Sequence, residues 1–179
     1  MVKLIVFSGI PASGKTTISE RLAKENNYIR ISMDEGNYVK HDDMIDDIVG
    51  HLKDGRSVVA DSLYDSAQHR VNLLDRVQSI ECECICIVMN TPLEECIRRN
   101  NTRKNPLPSG LIQCISEHYE TPSLDEGWNN IVNIDMKQML PNCTNMNTAR
   151  LVNIFMGRNV VNIKKKTILE EGENNEEKY

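Results

Sequence analysis

The chain has 179 residues, 40% of them hydrophobic and 26% charged, which suits one soluble globular domain with a proper core. No stretch approaches the apolar length of a membrane span, and the N-terminus has no signal-peptide layout, so a cytoplasmic protein without membrane contact is expected. Of the formal net charge of −5, residues 167–179 carry −4 (five Glu and one Lys), which leaves −1 for residues 1–166. A nucleic-acid partner would therefore need a local basic channel, because a broad attraction for phosphates is excluded.

The first predicted element is a buried strand over Val2–Ser8, which leads into a glycine-rich loop and then a helix at 17–26. The loop matches the phosphate-binding pattern G-x-x-x-x-G-K-[ST]. Its residues are Gly9, Ile10, Pro11, Ala12, Ser13, Gly14, Lys15, Thr16 and Thr17. In this arrangement backbone N–H groups and the helix N-terminus face an anion, Lys15 reaches the β- and γ-phosphates, and the Thr16 hydroxyl binds Mg²⁺. The alternative interpretation is a chance glycine turn before a helix.

The rest of the chain alternates strands and helices. Strands are predicted at 28–32, 57–61, 81–89 and 130–135, and helices at 39–52, 66–80, 92–104 and 111–119. Thr91 is the predicted N-cap of the third of these helices, with Pro92 at its first position. The order predicts an α/β fold, a doubly wound parallel sheet of about five strands with flanking helices, which binds ligand beyond the carboxyl ends of its strands.

Composition and residue pattern divide the chain into three predicted segments. Residues 1–141 form the predicted domain, and residues 142–166 are an extension with a helical pattern at 147–156. Residues 167–179 have the composition of a disordered acidic tail.

Six cysteines do not form a disulfide framework in this sequence. Cys82, Cys84 and Cys86 alternate, so they face one side of a strand, where same-strand neighbours are poorly placed for disulfides. A metal site would need a second ligand cluster at suitable spacing, so buried apolar thiols are expected.

Two acids stand at predicted strand ends. Asp61 ends the strand at 57–61, where a Walker-B aspartate would hold Mg²⁺ directly or through water; the alternative is an acid that caps its loop. Asp34 follows the second strand, where a carboxylate can orient an acceptor hydroxyl and take its proton; an ordinary loop aspartate is the equal alternative.

A basic run follows the helix at 92–104. Arg99 and Arg103 are four residues apart, so in a helix they share a face, where guanidinium groups can stabilise a transferring phosphoryl. The alternative is a solvated face that complements the helix dipole. Proline and glycine at 105–110 suggest a mobile lid.

The histidines and the larger aromatics have weaker signals. No histidine has metal-ligand spacing, and His41 and His69 are the ones expected nearest a substrate. Trp128 and Tyr119 fit core packing better than base stacking.

Taken together, five blocks resemble the 5′-hydroxyl polynucleotide kinase domain of phage-type and animal nucleic-acid repair enzymes. They are the glycine loop, Ser32-Met-Asp34, Val58-Val-Ala-Asp61-Ser, Arg99-Asn-Asn-Thr-Arg103, and the segment from His118 to Trp128. The resemblance spans about residues 2–135.

The resemblance implies an ATP- and Mg²⁺-dependent kinase whose substrate is the 5′ end of a nucleic acid. By matching position it implies Asp34 as general base, Lys15 and Thr16 on phosphates and magnesium, Asp61 in the active site, and Arg99 and Arg103 on ATP. It implies no coupled phosphatase, because an Asp-x-Asp-x-Thr motif is absent from the sequence.

One position departs from the family pattern. Phage-type enzymes place an arginine three residues after the base to contact the acceptor's 3′-phosphate, and this chain has Asn37 there. Arg70, in the following segment, is a candidate replacement. A kinase of a small alcohol or of seryl-tRNA, and a nucleotide-dependent switch or adaptor, therefore stay open as alternatives.

Overall fold

A computed structural model describes residues 1–36 and 38–135, which contain five strands and five helices that alternate as far as the fourth helix; the fifth helix then precedes the last strand. The strands are β1 (Val2–Ser8), β2 (Ile29–Ser32), β3 (Val58–Asp61), β4 (Cys82–Asn90) and β5 (Asn130–Asp135). The helices are α1 (Lys15–Asn26), α2 (His41–Lys53), α3 (Ala67–Val77), α4 (Leu93–Asn100) and α5 (Ser109–Glu117), with a 3-10 turn at Leu124–Glu126.

The sheet is parallel throughout, in the order β2-β3-β1-β4-β5. β1 lies at its centre, with Leu4 opposite Val58 on one side and Cys84 on the other. Buried central strands read as apolar runs, as the sequence indicated for β1. The carboxyl ends of β1, β2 and β3 therefore meet at one edge, and the loops that follow them meet there too.

Alternate residues of β1 face the two sides of the sheet, which the helices cover. Leu4 and Val6 pack with apolar side chains of α2 and α3, while Ile5 and Phe7 pack with α1 and β5. Helices on both faces confirm the predicted doubly wound α/β fold. None of the helices in the described ranges is long and apolar enough to cross a bilayer.

The three alternating thiols of β4 lie on one face, as predicted. Cys84 and Cys86 are buried in the cluster beneath α2 and α3, and Cys82 packs against it. Burial raises the pKa of Cys84 and of Cys86 to about 12, so both thiols stay protonated and act as small apolar groups. Trp128 is also buried in this cluster, which confirms the prediction that it packs in the core.

The start of α4 differs from the prediction. Pro92, not Thr91, precedes the helix, and the Thr91 hydroxyl instead donates to the Ser13 carbonyl oxygen at 2.8 Å. The hydroxyl is buried against the glycine loop, so it satisfies that carbonyl rather than an amide of its own helix.

Two other helix predictions are corrected. α4 ends at Asn100 and not near residue 104, because the buried Asn100 amide turns to the backbone of Leu107. α3 ends at Val77 and not near residue 80, and its buried apolar side chains are Leu73, Leu74 and Val77. The predicted extension at 142–166 and tail at 167–179 lie outside the described residues, as does the end of the 1–141 domain.

Candidate nucleotide and acceptor site

The glycine-rich loop joins β1 to α1 at the carboxyl edge of the sheet. Gly9 and Gly14 have φ of 145° and 104°, and Ala12 has φ of 62°. A Cβ on Gly9 would come within 3.1 Å of the Met89 carbonyl oxygen, so the loop needs glycine there for space as well as conformation. The loop then turns directly into α1, whose N-cap is Gly14, as a cradle for an anion requires.

Lys15 folds back over this loop. Its Nζ donates to the carbonyl oxygens of Gly9, at 2.6 Å, and Ile10, at 3.0 Å. Burial lowers the pKa of Lys15 to about 8, and the nearby Asp61 carboxylate opposes that shift. The ammonium is therefore held at the loop by neutral carbonyls, which an anionic phosphate can replace.

Asp61 is buried at the end of β3, 5% exposed. Its Oδ2 accepts from Ser19 Oγ at 2.9 Å and from Arg30 Nη2 at 2.6 Å. Both of these bonds end on one oxygen, so Oδ1 remains for a further partner. Sequence reasoning did not single out Arg30 or Ser19, because each lies in a different element and neither belongs to a motif.

Asp34 is exposed, in a turn that follows β2. The Gly36 amide donates to the Ser32 carbonyl at 2.8 Å, which closes the turn, and the Met33 amide ties it to the Asp61 carbonyl at 3.2 Å. Asp34 lines the same cavity as Lys15, and its charge acts on the Lys15 ammonium. The structure thus brings the two residues together, as a phosphoryl-transfer site would need.

This cavity, of about 580 Å³, has a polar floor and an apolar wall. The floor is the glycine loop with Lys15, Thr16, Thr17, Asp34 and Asp61, and the wall is made by Leu63, Leu107, Leu111 and Ile115. The wall could not be predicted from local patterns, because its residues come from a loop, the segment after α4, and α5. A ligand with both a charged and a flat apolar part matches such a lining.

Arg99 and Arg103 also line the cavity. Arg99 lies in α4, where its Nε donates to Glu95 Oε1 at 2.7 Å and its Nη1 approaches the Ser13 carbonyl at 3.4 Å. Arg103 lies beyond the end of α4, so the two arginines share the cavity without sharing a helix face.

The segment that carries Arg103 is closed at its base by one side chain. Asn100 Nδ2 donates to the Leu107 carbonyl at 2.8 Å, and the Leu107 amide donates to Asn100 Oδ1 at 2.9 Å. Residues 101–106 are exposed between these two points. The predicted break at 105–110 is shorter in the structure, since α5 begins at Ser109, and the loop that Asn100 closes is residues 101–106.

Arg70 does not replace the missing arginine of the acceptor site. Its side chain is fully buried, and its Nε and Nη2 donate to Glu126 at 2.8 and 2.7 Å. A guanidinium with no exposed surface cannot reach a substrate phosphate, so this expectation was wrong. Asn37 itself lies outside the described residues.

The two histidines expected nearest a substrate lie next to each other. Their rings stack with centroids 5.7 Å apart, and His41 also meets the edge of the Tyr64 ring at 5.4 Å. Neither histidine is among the residues that line the cavity.

The oxygens present suit a magnesium ion better than a softer metal. Thr16 is exposed at the start of α1, and Asp61 lines the same cavity with both of its side-chain bonds from Ser19 and Arg30 on Oδ2. Mg²⁺ takes one or two protein oxygens and keeps several waters, so this small donor set fits it. Residues 1–36 and 38–135 contain no group of three or more His, Cys, Asp or Glu that could hold a metal.

Comparisons with known proteins agree with this geometry. The chain matches the AAA domain family over residues 4–122, which is 119 of its 179 residues. The bifunctional polynucleotide phosphatase/kinase of Schizosaccharomyces pombe is 26% identical over 141 residues, which cover 75% of this chain and 34% of that protein. The chain thus spans about a third of the length of this curated relative.

Two solved kinases share the fold. A gluconokinase from Sinorhizobium meliloti superposes with a TM-score of 0.61 at 19% identity, covering 92% of this chain and 97% of its own. A fungal RNA kinase gives a TM-score of 0.61 at 18% identity, covering 76% of this chain and 75% of its own. The chain belongs to the AAA domain family and resembles the polynucleotide kinases.

Proposed function

We propose that the chain transfers the γ-phosphoryl group of ATP to the 5′-hydroxyl end of a polynucleotide, with Mg²⁺ as cofactor. The observation that carries this proposal is the shared cavity. Asp34, Lys15 and the arginines Arg99 and Arg103 line one space of about 580 Å³. A site for phosphoryl transfer needs a proton acceptor on one side of the phosphate and positive charge around it.

Each residue has a chemical task in the reaction. Asp34 takes the proton of the 5′-hydroxyl as the oxygen forms its bond to the γ-phosphorus. The bond from that phosphorus to the β–γ bridging oxygen breaks in line, and ADP leaves with its electron pair. Lys15, Arg99 and Arg103 stabilise the charge that develops on the phosphoryl oxygens.

Magnesium would be held by Thr16 and, directly or through water, by Asp61. When bound, it neutralises phosphate charge. Arg30 and Ser19 keep Asp61 turned so that one oxygen is engaged and the other is free. The protein therefore supplies a fixed acid rather than one that must reorient on binding.

The apolar wall suits a nucleobase, either that of ATP or that of a nucleic-acid end. Leu107 and Leu111 keep 37% and 46% of their surface exposed beside the cavity, and Ile115 is half-buried behind them. Flat nucleobases bury apolar surface against such side chains, so the wall agrees with a nucleic-acid acceptor as well as with the adenine of ATP. The Schizosaccharomyces pombe relative bears the name of a polynucleotide kinase, which agrees with this choice.

A kinase of a small alcohol is the competing candidate. The gluconokinase superposes over 92% of this chain, more of it than the fungal RNA kinase does. Assays with γ-labelled ATP and a panel of acceptors separate the polynucleotide kinase from the small-alcohol kinase. The panel contains 5′-hydroxyl DNA and RNA, seryl-tRNA, sugars and polyols. Label on a 5′ end supports the proposal. Label only on a metabolite or on seryl-tRNA, or release of phosphate without an acceptor product, contradicts it.

The role of Asp34 is tested with Asp34→Asn. We expect kcat to fall by about 10²–10⁴-fold while nucleotide affinity stays within about twofold, because the base acts on the acceptor and not on ATP. Asp75→Asn, at an exposed position of α3, is the matched control and should keep normal turnover. Normal turnover by Asp34→Asn would remove this residue from the mechanism.

A further inference from the structure

Arg30 on β2 contacts three parts of the site at once. Its Nη2 donates to Asp61 Oδ2 at 2.6 Å, and its Nε donates to Ser19 Oγ on α1 at 3.1 Å. The other edge of the guanidinium faces Glu35, with Nη1 to Oε2 at 2.6 Å and Nη2 to Oε1 at 3.2 Å. Only a planar group with several fixed donors can make these contacts together.

The contact with Glu35 acts on the turn that carries Asp34. Glu35 follows Asp34 directly, and the turn is closed on its other side by the bond from the Gly36 amide to Ser32. The turn is thus restrained by one side-chain pair, Arg30–Glu35, and by one backbone bond, from the Gly36 amide to the Ser32 carbonyl. Asp34 lies between these two restraints.

The contacts with Asp61 and Ser19 hold the other side of the Arg30 guanidinium in place. Arg30 has only 13% of its side chain exposed and Asp61 only 5%, so water screens this pair weakly. The Met33 amide also donates to the Asp61 backbone carbonyl at 3.2 Å. The turn with Asp34 and the strand end with Asp61 are therefore joined twice, once through backbone and once through Arg30.

We propose that Arg30 is a positioning residue, which with Glu35 sets Asp34 relative to Asp61 in the reactive cavity. This inference rests on the proposed function for its catalytic consequence. Its structural part, the restraint of the turn by Arg30 and Glu35, does not depend on the acceptor. A displacement of about 1 Å at the reacting groups can lower a rate by as much as 10²-fold, so such a restraint matters for turnover.

The test compares Glu35→Gln, Arg30→Lys and the double variant. Arg30→Lys keeps the charge but cannot hold Asp61, Ser19 and Glu35 together. We expect each single variant to lower kcat by about tenfold. KM for ATP should stay within about twofold in Glu35→Gln, which leaves the glycine loop and Asp61 untouched, and should rise further in Arg30→Lys, because Arg30 also holds Asp61. The double variant should match Arg30→Lys within about twofold, because both changes release the same restraint.

The second readout is hydrogen exchange at the Gly36 amide. Loss of the pair should accelerate that exchange by about threefold or more in both single variants, whether or not an acceptor is present. Arg56→Lys is the matched control, because Arg56 pairs with Asp54 on the surface at 2.7 Å. It should leave kcat and Gly36 exchange unchanged.

The outcomes separate the two proposals. Losses of kcat that multiply to about a hundredfold in the double variant, or exchange at Gly36 that stays at the wild-type rate, would overturn the role of Arg30. If no acceptor is phosphorylated by the wild-type chain, the proposed function fails. The exchange measurement then still decides whether Arg30 and Glu35 restrain the turn.

Discussion

Lys15 gives a quantitative prediction about nucleotide binding. In the free protein its ammonium is buried against the Gly9 and Ile10 carbonyls, and its pKa is lowered to about 8. A bound polyphosphate favours the charged form, so the pKa of Lys15 in the complex must rise. Binding above pH 8 should therefore draw a proton from solution, and affinity should fall as pH rises through the free-state pKa.

The size of the effect follows from that pKa. At pH 8.5 about three quarters of the free protein carries neutral Lys15, and at pH 7 only about a tenth does. We thus expect uptake of about 0.75 proton per ADP or ATP bound at pH 8.5, against about 0.1 at pH 7. Affinity should be about fourfold weaker at pH 8.5 than at pH 7, provided that the pKa in the complex lies well above 8.5.

Isothermal titration calorimetry in buffers of different ionisation enthalpy measures this uptake directly. Lys15→Arg is the control, because a guanidinium remains protonated at both pH values and should remove the uptake. Equal proton uptake by the wild type and Lys15→Arg at pH 8.5 would refute the reasoning. So would a wild-type uptake that does not change between pH 7 and 8.5.

Two further predictions concern stability. Glu126→Ala leaves the Arg70 guanidinium buried without its ion-pair partner, so it should lower the free energy of unfolding by about 3–5 kcal/mol. Asp54→Ala, which removes an exposed ion pair, should lower it by about 1 kcal/mol or less. Urea unfolding measures both. Thr91→Val removes the buried bond to the Ser13 carbonyl and should cost about 1–3 kcal/mol; a change below about 0.5 kcal/mol would show that water or a loop shift satisfies that carbonyl.

The parts of the fold that could be predicted are those with local signals. β1 reads as an unbroken apolar run, and the glycine loop needs its residue types at fixed spacing. Those two features together predicted the carboxyl edge as the binding edge, and Asp34 and Asp61 do line the cavity there. The strand order could not be predicted from such signals, since it depends on pairing between distant segments.

The failures share one physical cause, which is competition from a distant partner. Thr91 fits a local capping pattern, but the Ser13 carbonyl, 78 residues away, takes its hydroxyl. In the sequence Arg70 is a candidate contact for the acceptor, but Glu126, 56 residues away, binds its guanidinium in the protein interior. Arg30 has no motif of its own, and its importance depends on Asp61 and Ser19.

The amide of Asn100 has a consequence for how this protein can change. Since it bonds both the carbonyl and the amide of Leu107, it closes residues 101–106 into a loop whose ends do not depend on what lies between them. Apart from Arg103, which lines the cavity, residues can be inserted, deleted or exchanged within that loop while α4 and the sheet keep their packing. New substrate preferences can therefore evolve, or be engineered, in this small exposed segment without a redesign of the scaffold beneath it.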